Sequence, residues 1–298
     1  MNNTPLVSII VNCFNGEKYL QKALNSILEQ TYTNWEIIFW DNLSTDLSHK
    51  IFLTYNDSRF QYFKANNHTS LYEARNSAIS KVNGDFIAFL DVDDWWERNK
   101  LELQVMKFDE SKVGMVCSSY FLINERSNKT QKNYKGPFPS GELSEYLLNN
   151  YFVHFSTLVI RRDALKSLEY YCDNRFSIIG DFDLVLRLSI KGWLLECINT
   201  PLAFYRWHNR NTGFTSEYLI SKELNIWVNE KNKLPEFSEL PEFSILEKKS
   251  KWLMILKHLH DGERLLVLRS LGNVPKNKLF KVLVALFLPN FFLQKLLY

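Results

Sequence analysis

Short apolar runs alternate with amphipathic segments along the first hundred residues of the chain. Three runs of strand length each end in a polar residue, at residues 6–12 (LVSIIVN), 35–41 (WEIIFWD) and 85–91 (DFIAFLD). Between them, residues 17–30 and 70–82 repeat apolar positions at helical spacing. Continuous apolar strands that alternate with helices are typical of a parallel sheet covered on both faces. The pattern therefore predicts βαβ units with right-handed crossovers.

Beyond residue 110 the pattern is mixed and then becomes wholly helical. Strand-like segments occur at 113–124 and 156–162, and helix-like segments at 141–150 and 181–192. Residues 193–199 and 201–208 predict a closing pair of strands. The polar stretch 124–141, which contains glycines and prolines, predicts a hairpin or a mobile loop. From about Glu217 onward only helical signals remain.

These patterns divide the chain into an α/β domain at residues 1–216 and a helical extension at residues 217–298. Near the C-terminus, Lys281 and Pro289 interrupt an apolar run, which is then too short to span a membrane. Lysines around this run are typical of a helix that lies in a membrane interface; they are Lys276, Lys278, Lys281 and Lys295. The alternative is a terminal helix pair packed on the domain or on a second subunit.

Composition narrows the possible partners and the compartment. The formal charge of +3 comes from 36 basic and 33 acidic residues without a dense basic stretch, which argues against nucleic acid as a partner. The four cysteines are scattered and form no CxxC pair, so we expect them to be reduced and mostly buried. The N-terminus lacks the features of a signal peptide. We therefore expect a cytoplasmic protein, held peripherally at the inner face of the cell membrane if the C-terminal helices bind there.

Three carboxylates follow the third apolar run within four positions, in GDFIAFLDVDDWW at residues 84–96. Like charges this close repel one another unless protons or a cation offset them. Because Asp91 and Asp93 alternate at an extended strand end, both can face one Mg²⁺ or Mn²⁺, hard ions that carboxylates bind. Asp94 faces elsewhere and is predicted to be the N-cap of the next helix.

The same strand ends suggest where a ligand binds. Ligands of parallel sheets bind outside the carboxyl ends of the strands, where Asn12, Asp41 and Asp91 occur. Two glycine motifs bind phosphate through the backbone: GxGxxG, and GxxxxGK followed by Ser or Thr. Neither occurs in this sequence, which has ten glycines. Their absence from the sequence argues against dinucleotide dehydrogenases and P-loop NTPases. A divalent cation is therefore expected to meet the charge of a phosphorylated ligand. Haloacid-dehalogenase-like phosphatases also carry Asp-x-Asp after a strand, but Trp95 and the two preceding strand–helix units disfavour them.

Three separated blocks, in order, resemble the family 2 glycosyltransferases with a GT-A fold. They are residues 7–46, residues 71–96, and the pair GDFDLVLRL (180–188) and YRWH (205–208), and the similarity covers roughly residues 5–210. The resemblance implies a Rossmann-like, mixed and mainly parallel sheet flanked by helices, with a helical C-terminal extension. It also implies transfer of a sugar, with inversion, from a nucleotide-diphosphate donor to a saccharide or lipid-linked acceptor in surface polysaccharide biosynthesis. A nucleotide-sugar-binding protein without turnover is the alternative.

The resemblance assigns roles to individual residues of this sequence. Asp41 reads the nucleotide base, and Arg75 lines the same pocket. Asp91 and Asp93 hold the metal together with the ribose and diphosphate. Asp181 is the catalytic base, although Asp183 is a rival on another side of the same helix. For the diphosphate side we predict His208 as a further metal ligand and Arg206 as a phosphate contact through its planar guanidinium; these two residues belong to YRWH.

Two departures from the family pattern affect the predicted site. The usual Pro-Thr-Tyr-Asn after the first strand is replaced by residues 12–15, so Asn12, Phe14 and Asn15 are predicted to border the base pocket with altered contacts. Gly180 stands where many members carry Glu, which removes an acceptor contact but leaves the base. We also expect the loop 208–216 to close over donor and diphosphate and to exclude water.

Overall fold

The computed structural model describes residues 4–127, 129–132, 137–209, 211 and 217–286. Its contacts divide the chain into two compact units. The first comprises Met1–Ser144 and Tyr151–Asn211, and the second comprises Glu145–Asn150 and Thr212–Tyr298. The predicted domain boundary at residue 216 falls outside the described residues and stays a prediction.

The first third of the chain alternates strands and helices as predicted. Its elements are β1 (Val7–Cys13), α1 (Leu20–Leu28), β2 (Trp35–Asp41), α2 (Ser48–Phe52), β3 (Phe60–Lys64), α3 (Leu71–Ile79) and β4 (Phe86–Phe89). Strand β3 was not predicted. It is only half-buried along most of its length and pairs with one neighbour, so it lacks the continuous apolar run by which the other strands were found. Leu28, one of the apolar positions at helical spacing in segment 17–30, is 39% exposed.

The middle of the chain completes the sheet. Its elements are β5 (Trp95–Trp96), α4 (Lys100–Val105), β6 (Val113–Asn124), β7 (Lys129–Lys132), α5 (Ser144–Asn149), β8 (Val159–Arg161), α6 (Arg162–Lys166), α7 (Gly180–Ile190) and β9 (Leu194–Trp207). The predicted hairpin is confirmed by the antiparallel pairing of β7 with the end of β6. Residues 128 and 133–136 of that stretch lie outside the described residues.

The predicted closing pair of strands is wrong, because β9 is one strand. It runs parallel to β6 with three register shifts. Two of them flank Pro201, where Ser118 pairs with Ile198, Ser119 with Pro201 and Tyr120 with Ala203. A proline cannot donate to the ladder and therefore resembles a strand end in the sequence. Here the extra residues around Pro201 are accommodated as an irregularity within the strand.

The sheet has the order β3-β2-β1-β4-β8-β6-β9-β5, with β7 paired to β6. The pairs β3–β2, β2–β1, β1–β4 and β6–β9 are parallel. Strand β8 is antiparallel to both β4 and β6, and β5 is antiparallel to β9. Helices α1 and α3 cover it with apolar side chains. The predicted fold class, a mixed and mainly parallel sheet flanked by helices, is confirmed. All four cysteines are buried and free, as expected.

The second unit is helical, as the sequence predicts. Its main helices are α8 (Glu217–Lys231), α9 (Pro235–Ser238), α10 (Phe243–His260), α11 (Arg264–Arg269) and α12 (Leu279–Ala285). Trp227 of α8 packs edge-on against Phe237, and a second apolar cluster joins the end of α10 to Val267 and Val282. None of the helices within the described ranges has the length and apolarity required to cross a membrane.

Candidate active site

The ends of β1, β2 and β4 lie along one edge of the sheet, as predicted. Cys13 is opposite Asp41 in the parallel ladder, and the Leu90 amide donates to the Ile10 carbonyl at 3.0 Å. Ile10 is opposite Phe89 in the parallel pairing of β1 with β4, so the same register continued by two residues places Asp91 level with Asn12. The Asn12 Nδ2 atom is buried and has no hydrogen-bond partner in the described part of the chain.

Asp41 is buried at this edge and is held by two protein donors. The Ser44 amide donates to its Oδ1 at 2.7 Å, and the Tyr62 hydroxyl donates to its Oδ2 at 2.6 Å. Burial, and then this bond and the carboxylate charge, raise the pKa of Tyr62. The carboxylate is thus oriented by the turn after β2 and by the neighbouring strand β3.

Residues 14 and 15 begin the loop after β1 and point in different directions. Phe14 is 49% exposed, and its ring lies 4.1 Å from the ring of His68, centroid to centroid. Asn15 adopts φ 53°, a left-handed conformation that asparagine tolerates better than most residues. Its Oδ1 accepts a hydrogen bond from the Thr45 amide at 2.8 Å. The loop after β1 is therefore tied to the loop after β2.

The three clustered carboxylates have different partners. Asp91 Oδ1 pairs with Arg75 Nη2 at 2.7 Å, whereas Asp93 Oδ2 lies 3.0 Å from His208 Nε2. Asp94 is buried and accepts from the Ser156 hydroxyl at 2.6 Å and from the Arg206 amide at 3.0 Å. Burial, with the nearby charges of the other two carboxylates, raises the pKa of Asp94 well above its usual range.

The prediction that Asp94 caps the next helix is wrong. The residues after it form β5, and α4 begins only at Lys100, after Asn99. The carboxylate instead joins β9 to the segment before β8, because its donors come from Arg206 and Ser156. It therefore serves the packing of this region, which the local sequence does not reveal.

Arg75 is buried against the first carboxylate of the cluster. Its side chain is 4% exposed, and its guanidinium lies 4.0 Å from the centre of the Phe155 ring. The salt bridge to Asp91 places a positive charge of the protein beside one of the three clustered carboxylates. The structure thus brings Arg75 to the carboxyl end of β4.

A cavity of about 370 Å³ collects four of the predicted residues, Phe14, Asn15, Asp93 and His208. It is also lined by Lys18, Tyr19, Glu125 and Arg126, which the sequence analysis did not assign to the site. Lys18 forms a 2.8 Å salt bridge with Glu125, and the Tyr19 hydroxyl donates to the same carboxylate at 2.9 Å. Tyr19 belongs to segment 17–30, for which helical spacing is predicted, but it precedes α1 and its ring lies 5.1 Å from the ring of His208, centroid to centroid.

Arg206 lies beside this cavity, and its guanidinium is held by a hydrogen bond and by two aromatic rings. Its Nε donates to the Asp93 carbonyl at 2.9 Å, and its guanidinium lies 4.6 Å from the Tyr19 ring and 4.7 Å from the Trp95 ring. Stacking of this kind fixes the plane of the guanidinium. The cation is therefore positioned next to Asp93 and His208.

Asp181 lies in the first turn of α7, among aromatic side chains. Its amide donates to the Tyr72 hydroxyl at 3.1 Å, and its Oδ1 accepts from the Phe182 amide at 2.7 Å. Burial raises the pKa of the Asp181 carboxyl to about 6, although the Phe182 amide and the charge of Arg75 oppose this. The Tyr151 hydroxyl also lies near this carboxylate, and burial, followed by the charge of Asp181, raises the pKa of Tyr151.

The rival carboxylate, Asp183, has a structural partner instead. It is fully buried, and its Oδ2 pairs with Arg187 Nε at 2.8 Å, one helical turn later. A carboxylate enclosed in this way is not available to a substrate hydroxyl. Of the two candidates, Asp181 is the partly exposed one.

Gly180 is explained by the same aromatic packing. A Cβ atom at this position would lie 2.5 Å from the Tyr72 ring. The glutamate found in many family members would therefore collide with Tyr72, and this chain uses the space for the ring that holds the Asp181 amide. The departure noted in the sequence thus has a steric cause.

The residues around Asp93 can accept a divalent cation, although they do not form a complete cage. The described ranges contain no group of three or more His, Cys, Asp or Glu side chains placed to hold a metal. Asp93 and His208 nevertheless offer a carboxylate oxygen and an imidazole nitrogen at one wall of the cavity. Mg²⁺ and Mn²⁺ are commonly held by one or two protein ligands together with substrate phosphates, so this donor set fits such an ion. Of the loop 208–216, predicted to close over the donor, residues 210 and 212–216 lie outside the described residues.

Comparison with known proteins agrees with the fold and the family. Residues 8–169 match the family model for glycosyl transferase family 2. Over 187 residues the chain is 33% identical to the Escherichia coli UDP-Glc:alpha-D-GlcNAc-diphosphoundecaprenol beta-1,3-glucosyltransferase WfgD, covering 62% of this chain and 69% of that one. It is 30% identical to the amylovoran biosynthesis glycosyltransferase AmsB of Erwinia amylovora, covering 71% of this chain and 74% of the relative.

Two solved structures share the fold at low sequence identity. Staphylococcus aureus TarS 1-349 in complex with UDP-GlcNAc gives a TM-score of 0.58 at 16% identity, over 94% of this chain and 86% of TarS. The mannosyltransferase PcManGT from Pyrobaculum calidifontis, in complex with GDP-Man and Mn2+, gives 0.58 at 16% identity, over 99% and 86%. With the family model covering more than half of the sequence, the chain belongs to glycosyl transferase family 2 and is a glycosyltransferase of the GT-A fold.

Proposed function

We propose that this protein transfers a sugar, with inversion, from a nucleotide-diphosphate donor to a saccharide or lipid-linked acceptor in the biosynthesis of a surface polysaccharide. The observation that carries the proposal is the contact between Asp93 and His208 at the wall of a cavity, beside a cationic Arg206. Such a cluster suits a diphosphate leaving group, whose charge increases as the glycosidic bond breaks.

On the acceptor side, Asp181 is the proposed general base. Inversion requires a carboxylate that accepts the proton of the attacking hydroxyl while the leaving group departs from the opposite face of the sugar. A pKa of about 6 suits this task, because the carboxylate is ionised at neutral pH yet basic enough to accept a proton in the transition state. Tyr72 orients it by accepting the hydrogen bond of its backbone amide.

On the donor side, Asp93 and His208 are the proposed holders of Mn²⁺ or Mg²⁺, with Asp91 close by. A bound divalent cation would supply positive charge to the diphosphate oxygens. Arg206 adds a fixed cation at the same place. Arg75 holds the Asp91 carboxylate in position through their salt bridge. The nucleotide base is assigned to the region of Asn12, Phe14, Asn15 and Asp41, where the orphaned Asn12 amide offers a donor.

The relatives suggest the class of substrates. WfgD is named for a UDP-Glc donor and a GlcNAc-diphosphoundecaprenol acceptor, and AmsB is named for amylovoran biosynthesis. TarS and PcManGT are structures with UDP-GlcNAc and with GDP-Man and Mn2+. By analogy with these proteins, we propose that the donor of this chain is a nucleotide-diphosphate sugar and that its acceptor is a diphosphate-linked lipid saccharide.

A two-stage experiment tests the proposal. The melting temperature is first measured with UDP- and GDP-sugars, with and without Mn²⁺, because a ligand that binds the native state raises it. The best donor is then supplied with a synthetic GlcNAc-diphosphate lipid, and the product is analysed by NMR. We expect a metal-dependent rise in melting temperature and a product of inverted anomeric configuration. Donor binding without transfer or hydrolysis would instead indicate a binding protein, and retention of configuration would remove Asp181 as the base.

A further inference from the structure

Helices α11 and α12, at the end of the described chain, turn apolar side chains outward. In α11, Leu265 is 73% exposed and Leu268 is 49% exposed, whereas Val267 is fully buried. Each helix therefore has an inner side that packs and an outer side that does not, because α12 repeats the pattern with Phe280 77% exposed and Val282 buried.

The exposed apolar side chains recur at helical spacing within each of the two helices. Leu265 and Leu268 are three positions apart, and Leu279 and Leu283 are four positions apart, so each pair lies on one helical face. Phe280 adjoins the second pair. The inner residues of both helices already belong to one apolar cluster with the end of α10. The outward-facing leucines and Phe280 are therefore not part of the apolar core of this unit.

The charges of this segment are all of one sign. From residue 264 to residue 286 the sequence contains no Asp or Glu and five basic residues, which are Arg264, Arg269, Lys276, Lys278 and Lys281. All five are exposed. Because the whole chain has a formal charge of only +3, the remaining residues together are net negative. Positive charge is therefore concentrated next to the exposed leucines and Phe280.

We propose that this basic apolar face, residues 264–283, docks on an anionic lipid bilayer. Leucine and phenylalanine side chains flanked by Lys and Arg are the composition of segments that lie in the interface of a membrane, where apolar groups enter the acyl boundary and cations meet lipid phosphates. The choice of a bilayer over a second copy of the chain rests on the proposed function, since a diphosphate-linked lipid acceptor is presented at a membrane surface. A second basic copy would also repel the first.

Vesicle binding tests this assignment. The full chain is sedimented with vesicles of phosphatidylcholine containing 30% phosphatidylglycerol, and with vesicles of phosphatidylcholine alone, where the vesicle composition is roughly that of an anionic leaflet. We expect binding to the anionic vesicles that weakens as salt is raised. Leu265→Ser with Phe280→Ser should lower the partition coefficient on the order of a hundredfold, since each large apolar side chain contributes about tenfold. Lys276→Gln with Lys281→Gln should lower it by about tenfold or more, and only on anionic vesicles.

A matched control distinguishes binding through this face from nonspecific binding of exposed apolar side chains. Leu53 and Met106 are 59% and 64% exposed in the other unit, so Leu53→Ser with Met106→Ser removes similar exposed apolar surface elsewhere and should leave the partition unchanged. Equal binding by all three variants, or no binding by the unaltered chain, would overturn the assignment. So would a dimer in sedimentation velocity that the Leu265 and Phe280 substitutions dissociate. The melting-temperature shift with a nucleotide sugar and Mn²⁺, measured on the same variants, reports the donor site separately from lipid binding.

Discussion

Around Asp93 the neighbouring groups are polar or cationic, whereas around Asp181 they are mainly aromatic. Asp93 contacts His208 and lines an open cavity, and its backbone carbonyl accepts from Arg206. Asp181 is bordered by Tyr72 and lies near Tyr151, and burial outweighs the opposing effects of the Phe182 amide and the Arg75 charge. Burial therefore raises the pKa of Asp181 to about 6.

The difference between the two regions matches the two requirements of a glycosyl transfer. A leaving diphosphate needs fixed positive charge, and the surroundings of Asp93 provide or can bind it. A general base needs a pKa near the working pH, and removal of water by aromatic side chains achieves this for a carboxylate. Identical side chains thus acquire different chemistry from their surroundings.

The largest expected effect comes from removing the base. Asp181→Asn should lower turnover on the order of 10²- to 10⁴-fold, because the hydroxyl of the acceptor then loses its proton acceptor. Donor binding, measured by the melting-temperature shift with nucleotide sugar and Mn²⁺, should persist. Turnover near that of the unaltered chain would reassign the base.

Asp181→Asn should also change how the stability of the fold depends on pH, in a direction that follows from the pKa of Asp181. The folded-state pKa of Asp181 is raised from its ordinary value of 3.8 to about 6, so the native state holds a proton that the unfolded state releases between these values. Stability is therefore lost as pH rises from about 4 to 6. Asp181→Asn lacks this loss, and it should melt above the unaltered protein at pH 8 but not at pH 4.

The next largest effect distinguishes the roles of the adjacent carboxylates Asp93 and Asp94. Asp93→Asn should raise the Mn²⁺ concentration needed for half-maximal donor binding by at least about tenfold, since a ligand is removed. Asp94→Asn is the matched control, because that buried side chain faces Ser156 and the Arg206 amide. It should change the unfolding midpoint more than the metal requirement. Equal metal requirements in the two variants would contradict the assignment of Asp93.

A steric test probes the aromatic region. Gly180→Ala should destabilise the fold by about 1–3 kcal/mol, because the new methyl group meets the buried Tyr72 ring. Adding Tyr72→Leu should recover part of that loss, so the double variant is more stable than the sum of the single effects. Gly272→Ala, where a Cβ meets nothing within 4 Å, is the control. Denaturant unfolding is measured for the unaltered chain, the two single variants, the double variant and the Gly272→Ala control.

The smallest effect is the pH dependence of the unaltered enzyme. With a base of pKa about 6, the value of kcat/KM should rise with pH to a plateau above 7 and lie about tenfold below that plateau at pH 5. A plateau that extends down to pH 4 would mean that burial does not raise the pKa of the catalytic group.

Local pattern was a good guide where neighbours in sequence set the structure. Strands β1, β2, β4 and β6 were found within one or two residues, because each is a continuous apolar run of strand length. The local pattern was a poor guide where contacts with residues far along the chain determine the structure. The half-buried strand β3, the continuity of β9 through Pro201, and the role of Asp94 all depend on residues far along the chain.

The sequence by itself determined the alternation of strands and helices, the edge of the sheet at which Asn12, Asp41 and Asp91 gather, and the family. These follow from side-chain periodicity and from motifs with fixed spacing, both of which are local properties. The tertiary structure decided which carboxylate pairs with Arg75, which meets His208 and which is buried for packing. It also brought Tyr19 to the cavity and Tyr72 beneath Asp181, since burial and charge at a given atom depend on groups that only folding brings together.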